Sequence, residues 1–160
     1  TTAQQQGTLH RNFQGYSTHA DCDIVAMGIT AISSIGDNYS QNVRTIDDYK
    51  KFIEQGKIPV FRGIELEADD ILRREIINQL MCNNKLDIEQ LERRWGIEFE
   101  KYFDAAWPAL QTMAKDGLII IDKQHIEVTA SGRLLARTIS MEFDRYLKKD
   151  LLKRQFSKVI

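Results

Sequence analysis

The chain has 160 residues, 42% of them hydrophobic and 28% charged, with a formal net charge of −1. That balance suits one ordinary globular domain, or a small domain with appended segments. It excludes a molecule that binds polyanions with its whole surface, and no apolar run approaches the roughly 20 residues that span a bilayer.

The opening "TTAQQQGTLH" lacks the basic start and apolar core of a secretory signal, so the expected location is cytoplasmic. Thr1 in place of a methionine suggests an internal start. Cys22 and Cys82 lie far apart, with no C-x-x-C partner for either, so neither a disulfide nor a metal site is expected of them. Charge is unevenly placed: Arg133 to Lys158 holds eight basic and three acidic residues, whereas Asp69 to Asp116 holds seven and ten. An anionic partner would prefer the C-terminal end.

In chain order, residues 11–44 show little helical periodicity. "AISSI", "GDN" and "YSQNV" predict a hairpin turning at Gly36-Asp37-Asn38, and the preceding "IVAMG" suits either a helical turn or a buried strand. "TIDDYKKFIEQG" predicts a helix capped by Thr45 with Asp48, carrying Ile46, Tyr49, Phe52 and Ile53 on one face and stopping at Gly56. Pro59 then begins an extended piece, "VFRGIEL".

From Ala68 the apolar stripe Leu72, Ile76, Ile77, Leu80 and Met81 predicts a helix with Asp69 and Asp70 in its first turn. "DIEQLERRWG" gives a second helix, and a third runs from about Trp107 to Lys115, where Pro108 is tolerated near a helix start. The strands "LIIID" and "HIEVT" follow, joined at Lys123-Gln124. Thr129 is expected to cap a long last helix with Leu135, Ile139, Phe143 and Tyr146 on one side. The fold class is therefore α+β and mainly helical. Residues 1–62 form an irregular, hairpin-containing junction segment, and residues 63–160 form a winged-helix-like domain with three helices, a two-stranded wing and a terminal helix.

Each reactive-looking group has a plain structural reading beside it. His19, Asp21, Cys22 and Asp23, with His10 nearby, hold metal-ligating atoms, but a five-residue loop cannot easily aim all four at one point, and a polar turn explains them. Glu65, Glu67, Asp69 and Asp70 are explained by strand alternation and helix capping without acid–base chemistry. A winged helix raises nucleic-acid binding, yet the third helix offers Gln111, Lys115 and Asp116, and the wing Asp122, Lys123, His125 and Glu127. This is no basic stripe, so no nucleic-acid partner is expected. The basic amphipathic "RYLKKDLLKRQFSK" reads as a solvated helix face, and no membrane partner is expected. "RNFQGYSTH" places an amide beside two aromatics, which suits a flat hydrogen-bonding ligand such as adenine. Core roles for Phe13 and Tyr16 would explain it equally.

Several ordered blocks, "LHRNFQGYSTHADCD", "MGITAISSIGDNYSQN", "FRGIELEADDILRREIINQLMCN" and "QFSKVI", closely resemble the oxygen-independent coproporphyrinogen III oxidase family of bacterial type. The resemblance runs from about Leu9 to Ile160. It implies the C-terminal region of a radical S-adenosylmethionine (SAM) enzyme of haem biosynthesis, an oxidoreductase converting two propionates of coproporphyrinogen III to vinyl groups. It also implies SAM and a [4Fe–4S] cluster as cofactors, the cluster held by a C-x-x-x-C-x-x-C motif in a partial α/β barrel. This chain has no such motif, so by itself it is expected to be inert, to hold no metal and to carry no catalytic residue.

Carried onto this sequence, the resemblance places Phe13, Gln14 and Ile32 beside bound SAM. Ser17 and Thr30 depart from the usual residues but keep a hydroxyl. The implied partners are coproporphyrinogen III and the N-terminal radical-SAM barrel, in a monomer whose winged-helix part covers the barrel mouth. Arg11, Arg44 and Arg62 are candidate contacts for the substrate's carboxylates on charge complementarity. The alternatives are a winged-helix module that binds protein or nucleic acid, and a haem-trafficking relative. Such relatives usually carry a different block at "NFQGY".

Overall fold

The computed structural model describes residues 2–20 and 22–147. Its N-terminal half is built of short hairpins. A single helical turn, α1 (Thr2–Gln5), precedes the antiparallel pair β1 (His10–Asn12) and β2 (Gly15–Ser17). A second sheet has the order β3 (Ile32–Ile35), β4 (Asn38–Asn42), β5 (Val60–Glu65), all antiparallel, with α2 (Ile46–Glu54) inserted between its last two strands.

The predicted hairpin forms, with Gly36 at φ 54° in a two-residue turn and Asn38 already paired to Ile35. "IVAMG" is neither helix nor strand: Ile24 makes one bridge to Ser34, while Val25 and Met27 are largely exposed. The loop is held from beneath. Ser33 Oγ accepts from the Ala26 amide, and Asn42 Nδ2 donates to the carbonyls of Ala26 and Gly28.

Helix α2 starts as its sequence dictates, the Asp48 amide donating to Thr45 Oγ1 at 3.2 Å. Its apolar face does not enter a core, because the helix has no buried residue and Ile46 and Ile53 are each more than half exposed.

The second half contains the core. Helix α3 (Ala68–Asn78) opens on a capping box between Glu67 and Asp70 and runs into a π-helical turn, Gln79–Asn83. Strand β6 (Lys85–Asp87), helices α4 (Ile88–Trp95), α5 (Phe99–Tyr102) and α6 (Trp107–Lys115), and strands β7 (Ile119–Ile121) and β8 (His125–Val128) follow. The sheet order is β6-β8-β7, so the predicted strand pair β7 and β8 gains a third strand whose sequence, "KLD", is too short to announce it. In the turn between β7 and β8, Asp122 Oδ1 accepts from the amides of Gln124 and His125, and these bonds hold its carboxyl below the usual range.

Leu72, Ile76, Leu80, Leu86, Leu110, Ile126 and Ile139 are essentially sealed from solvent, with Phe99, Phe103 and Phe143 in mutual ring contact. The predicted stripe of α3 supplies three of these.

The expectation of one long last helix needs correction. Thr129 Oγ1 accepts from the Gly132 amide as a cap, but the chain then makes a 3₁₀ turn (Gly132–Leu135) and a short helix, α7 (Ala136–Met141). Gly132 explains the tight geometry, because a Cβ there would overlap the Leu118 carbonyl. Ile139 and Phe143 are buried as expected, whereas Leu135 and Tyr146 are more than two-fifths exposed. Most of the basic amphipathic segment lies outside the described residues.

Candidate functional site

Asn12 and Gly15 are the last paired residues of the first hairpin, so Phe13 and Gln14 form its two-residue tip. Asn12 Oδ1 accepts from the Gln14 amide at 2.9 Å, an Asx turn that bends the backbone, and Gly15 takes φ 129°. The turn therefore presents an aromatic ring and a free amide side chain side by side. Both are exposed, Phe13 by 54%. The Phe13 ring is fixed by Tyr39 on β4, edge to face, with centroids 5.2 Å apart.

Across β3, β4 and β5, Ile32, Gln41 and Arg62 stand in register, as do Ser34, Tyr39 and Ile64. Residues directly opposite or two apart on a strand share a face. Ile32 thus shares the sheet face of Tyr39, against which Phe13 packs. Arg62 joins that face two strands over, roughly 10 Å from Ile32 at the usual strand spacing. Its Nε donates to Gln41 Oε1 at 3.0 Å.

Beside Tyr39 opens a cavity of about 860 Å³. One wall is the first hairpin and the β3–β4 turn; the other is α3 and α7. Arg74 reaches across from α3, donating to Tyr39 Oη at 3.1 Å and lying 3.6 Å from Asp37 Oδ1.

Of the predicted residues, the structure brings Phe13 and Arg11 into the cavity wall. Gln14 stands at the tip beside Phe13, and Ile32 on the adjoining sheet face. Arg44 and Arg62 do not line the cavity: Arg44 lies over the Phe61 ring at 5.2 Å. Arg11 lies over its cross-strand neighbour Tyr16 at 5.7 Å.

The sequence reading missed Tyr39, Arg74 and Arg137. The first two were within reach of the alternation of β4 and the face of α3 that carries Ile77 and Met81. Nothing local announces that α7 would stand opposite.

The acidic cluster is structural. Asp69 is bonded to Arg73, Tyr102 and Arg145, and Asp70 to Tyr146. Burial pushes the Asp69 pKa up, but these three partners together hold it below the ordinary carboxylate value. Cys22 is exposed and Cys82 buried, and burial raises the Cys82 thiol. Among the described residues, no three His, Cys, Asp or Glu side chains are grouped to hold a metal ion, and no helix is long and apolar enough to cross a membrane.

Comparison with known proteins bears directly on this arrangement. Residues 66–135, most of the helical core with the sheet of β6, β8 and β7, match the family described as the HemN C-terminal domain. The whole chain is similar to oxygen-independent coproporphyrinogen III oxidases: 49% identical over 159 residues to that of Pseudomonas aeruginosa, and 46% over 158 residues to that of Escherichia coli K12. Each match covers 99% of this chain but only 34% and 35% of the relative, so the chain spans about a third of the length of the curated relatives it matches. A solved coproporphyrinogen III oxidase from E. coli, described as a radical SAM enzyme, superposes with a TM-score of 0.86 at 47% identity. The match covers 91% of this chain and 33% of that one. The resemblance read from the sequence is thus to the C-terminal part of that enzyme.

Proposed function

We propose that this chain is the C-terminal part of an oxygen-independent coproporphyrinogen III oxidase, completing the cofactor pocket and covering the substrate of a radical-SAM barrel. The observation that carries the reading is the hairpin tip, where the Asn12 Asx turn and the Tyr39 ring hold Phe13 and Gln14, both of them exposed. In the completed enzyme Phe13 and Ile32 exclude water beside SAM, and Gln14 orients it with one acceptor and two donors. SAM bound to a reduced cluster would supply the radical chemistry. The cluster's thiolates must come from elsewhere, because Cys22 and Cys82 cannot supply three.

Residues 1–62 serve as the junction that docks on the barrel. The exposed apolar side chains Ile46, Ile53, Ile58 and Phe61 support this, since so much exposed apolar surface suits a partner. Residues 63–160 form the cover. Their order, α3, β6, α4, α6, β7, β8 with β8 central, fits a winged helix used as a lid. The setting would be cytoplasmic.

The test is anaerobic conversion of coproporphyrinogen III to protoporphyrinogen IX. A protein joining this chain to a cluster-binding barrel should turn over, whereas residues 1–160 alone should not cleave SAM. Cleavage by the isolated chain, or no turnover by the joined protein once its cluster is loaded, would overturn the proposal.

A further inference from the structure

The cavity beside Tyr39 is lined on its helical side by two matching faces. Arg74, Ile77, Asn78 and Met81 lie at i, i+3, i+4 and i+7 along α3 and its π turn, and Arg137, Ser140 and Met141 repeat the first three of those positions along α7, with Asp144 just beyond its end. Each face begins with an arginine and is otherwise mostly apolar or small. The helices run antiparallel: the π turn at the end of α3 packs on α7, while Arg73 near its start bonds the Phe143 carbonyl beyond the end of α7. The backbone positions of Arg74 and Arg137 therefore stand toward opposite ends of the groove, offset by roughly 10 Å of helix rise over seven residues.

The groove's carboxylates are already engaged. Asp23 accepts from the Gly36 amide, Asp37 pairs with Arg74, and Asp144 accepts from the amides of Tyr146 and Leu147. Arg137 has no hydrogen bond, ion pair or ring partner among the described residues, although it borders a cavity of about 860 Å³. Arg11 enters from the hairpin, over the Tyr16 ring.

We propose that Arg137 and Arg74 are carboxylate-binding residues. Together they bind an amphipathic polycarboxylate whose apolar body lies on Ile77, Met81 and Met141, with acidic groups directed to the two ends. The volume is that of a small-molecule site, and guanidinium groups hold carboxylates by paired hydrogen bonds. Resting on the oxidase reading, the ligand is the tetrapyrrole substrate, whose propionates project from opposite edges of an apolar macrocycle. Arg74 and Arg137 lie on this cavity's helical wall, which Arg44 and Arg62 do not line.

The test is equilibrium binding to the 160-residue chain by fluorescence, with coproporphyrin III, its tetramethyl ester and dodecanedioate as probes. Arg137 is exposed, so Arg137→Gln should melt like the wild type, and Arg137→Lys should retain part of the affinity. Coproporphyrin III should bind at least 10-fold more weakly to Arg137→Gln, and the ester should bind the wild type no better than it binds that variant. Equal affinity of wild type and Arg137→Gln for coproporphyrin III overturns the inference while leaving the oxidase reading intact. Arg137-dependent binding of dodecanedioate without coproporphyrin III supports the two-ended groove and counts against the tetrapyrrole.

Discussion

Phe13 and Tyr39 meet edge to face, their planes at 87° and their centroids 5.2 Å apart, and the same Tyr39 hydroxyl accepts a hydrogen bond from Arg74. One side chain thus couples the hairpin tip to the helical core. Tyr39→Phe keeps the ring and removes the bond, and should cost about 1 kcal/mol in denaturant unfolding. Tyr39→Ala removes both and should also release the tip, read as faster amide exchange at Gln14 and Gly15. Unchanged exchange in Tyr39→Ala would show that the hairpin is held by something else.

The network joining α3 to residues 143–146 sets a pH window. Asp69 titrates below its ordinary value in the fold, so its contribution is complete above the unfolded carboxylate value of about 4 and is lost as pH falls through the folded one. Tyr146 is raised, chiefly by its bond to Asp70, and Tyr102 chiefly by burial, then by Asp69. Their contributions are complete below about pH 10 and fade as pH rises through the folded values. Melting temperature should therefore be flat between these limits and fall on both sides. The deficit of Asp69→Asn should shrink below pH 4; a deficit independent of pH would sink this assignment.

Gly132 offers a sharper steric test. The Cβ of Gly132→Ala would overlap the Leu118 carbonyl just before β7 and press on Val128 at the end of β8. Backbone cannot yield as a flexible side chain can, so several kcal/mol of destabilisation is expected, on the order of a large core lesion. Calorimetry showing a loss below about 0.5 kcal/mol would contradict the packing described.

Two isoleucines separate core from docking face. Ile76 is fully buried, and Ile76→Ala should cost about 2–5 kcal/mol. Ile53 is 53% exposed on α2, and Ile53→Ser should change the stability of this chain by no more than about 0.5 kcal/mol. On the junction reading, the same Ile53→Ser should weaken association with the barrel. Equal losses in urea unfolding for the two variants would refute the distinction.

Much of the helical half was legible because its signals are local. Thr45 with Asp48 and Pro108 near a helix start each act within one turn, and the Leu72–Met81 stripe is a simple period. The last helix was misread because the constraint on Gly132 comes from Leu118, in a different element. Strand β6 was missed because three residues carry no usable alternation, and its partner β8 lies far along the chain. At the site, Phe13 and Gln14 were singled out by residue type and by resemblance. The turn that presents them was signalled locally, by Asn12 and Gly15 in "NFQG". Arg137 was not legible, since only the antiparallel packing of α7 on α3 gives it a groove to face.

The central claim is that the hairpin tip touches SAM. Its most direct test is the dissociation constant of SAM for the cluster-loaded protein that joins this chain to its barrel, compared with the Gln14→Ala form. The tip is exposed, so the variant should melt like the wild type. Losing oriented hydrogen bonds to the ligand should weaken SAM binding by about tenfold or more, roughly 1.4 kcal/mol. An unchanged dissociation constant, with the fold intact and the cluster present, would contradict the account.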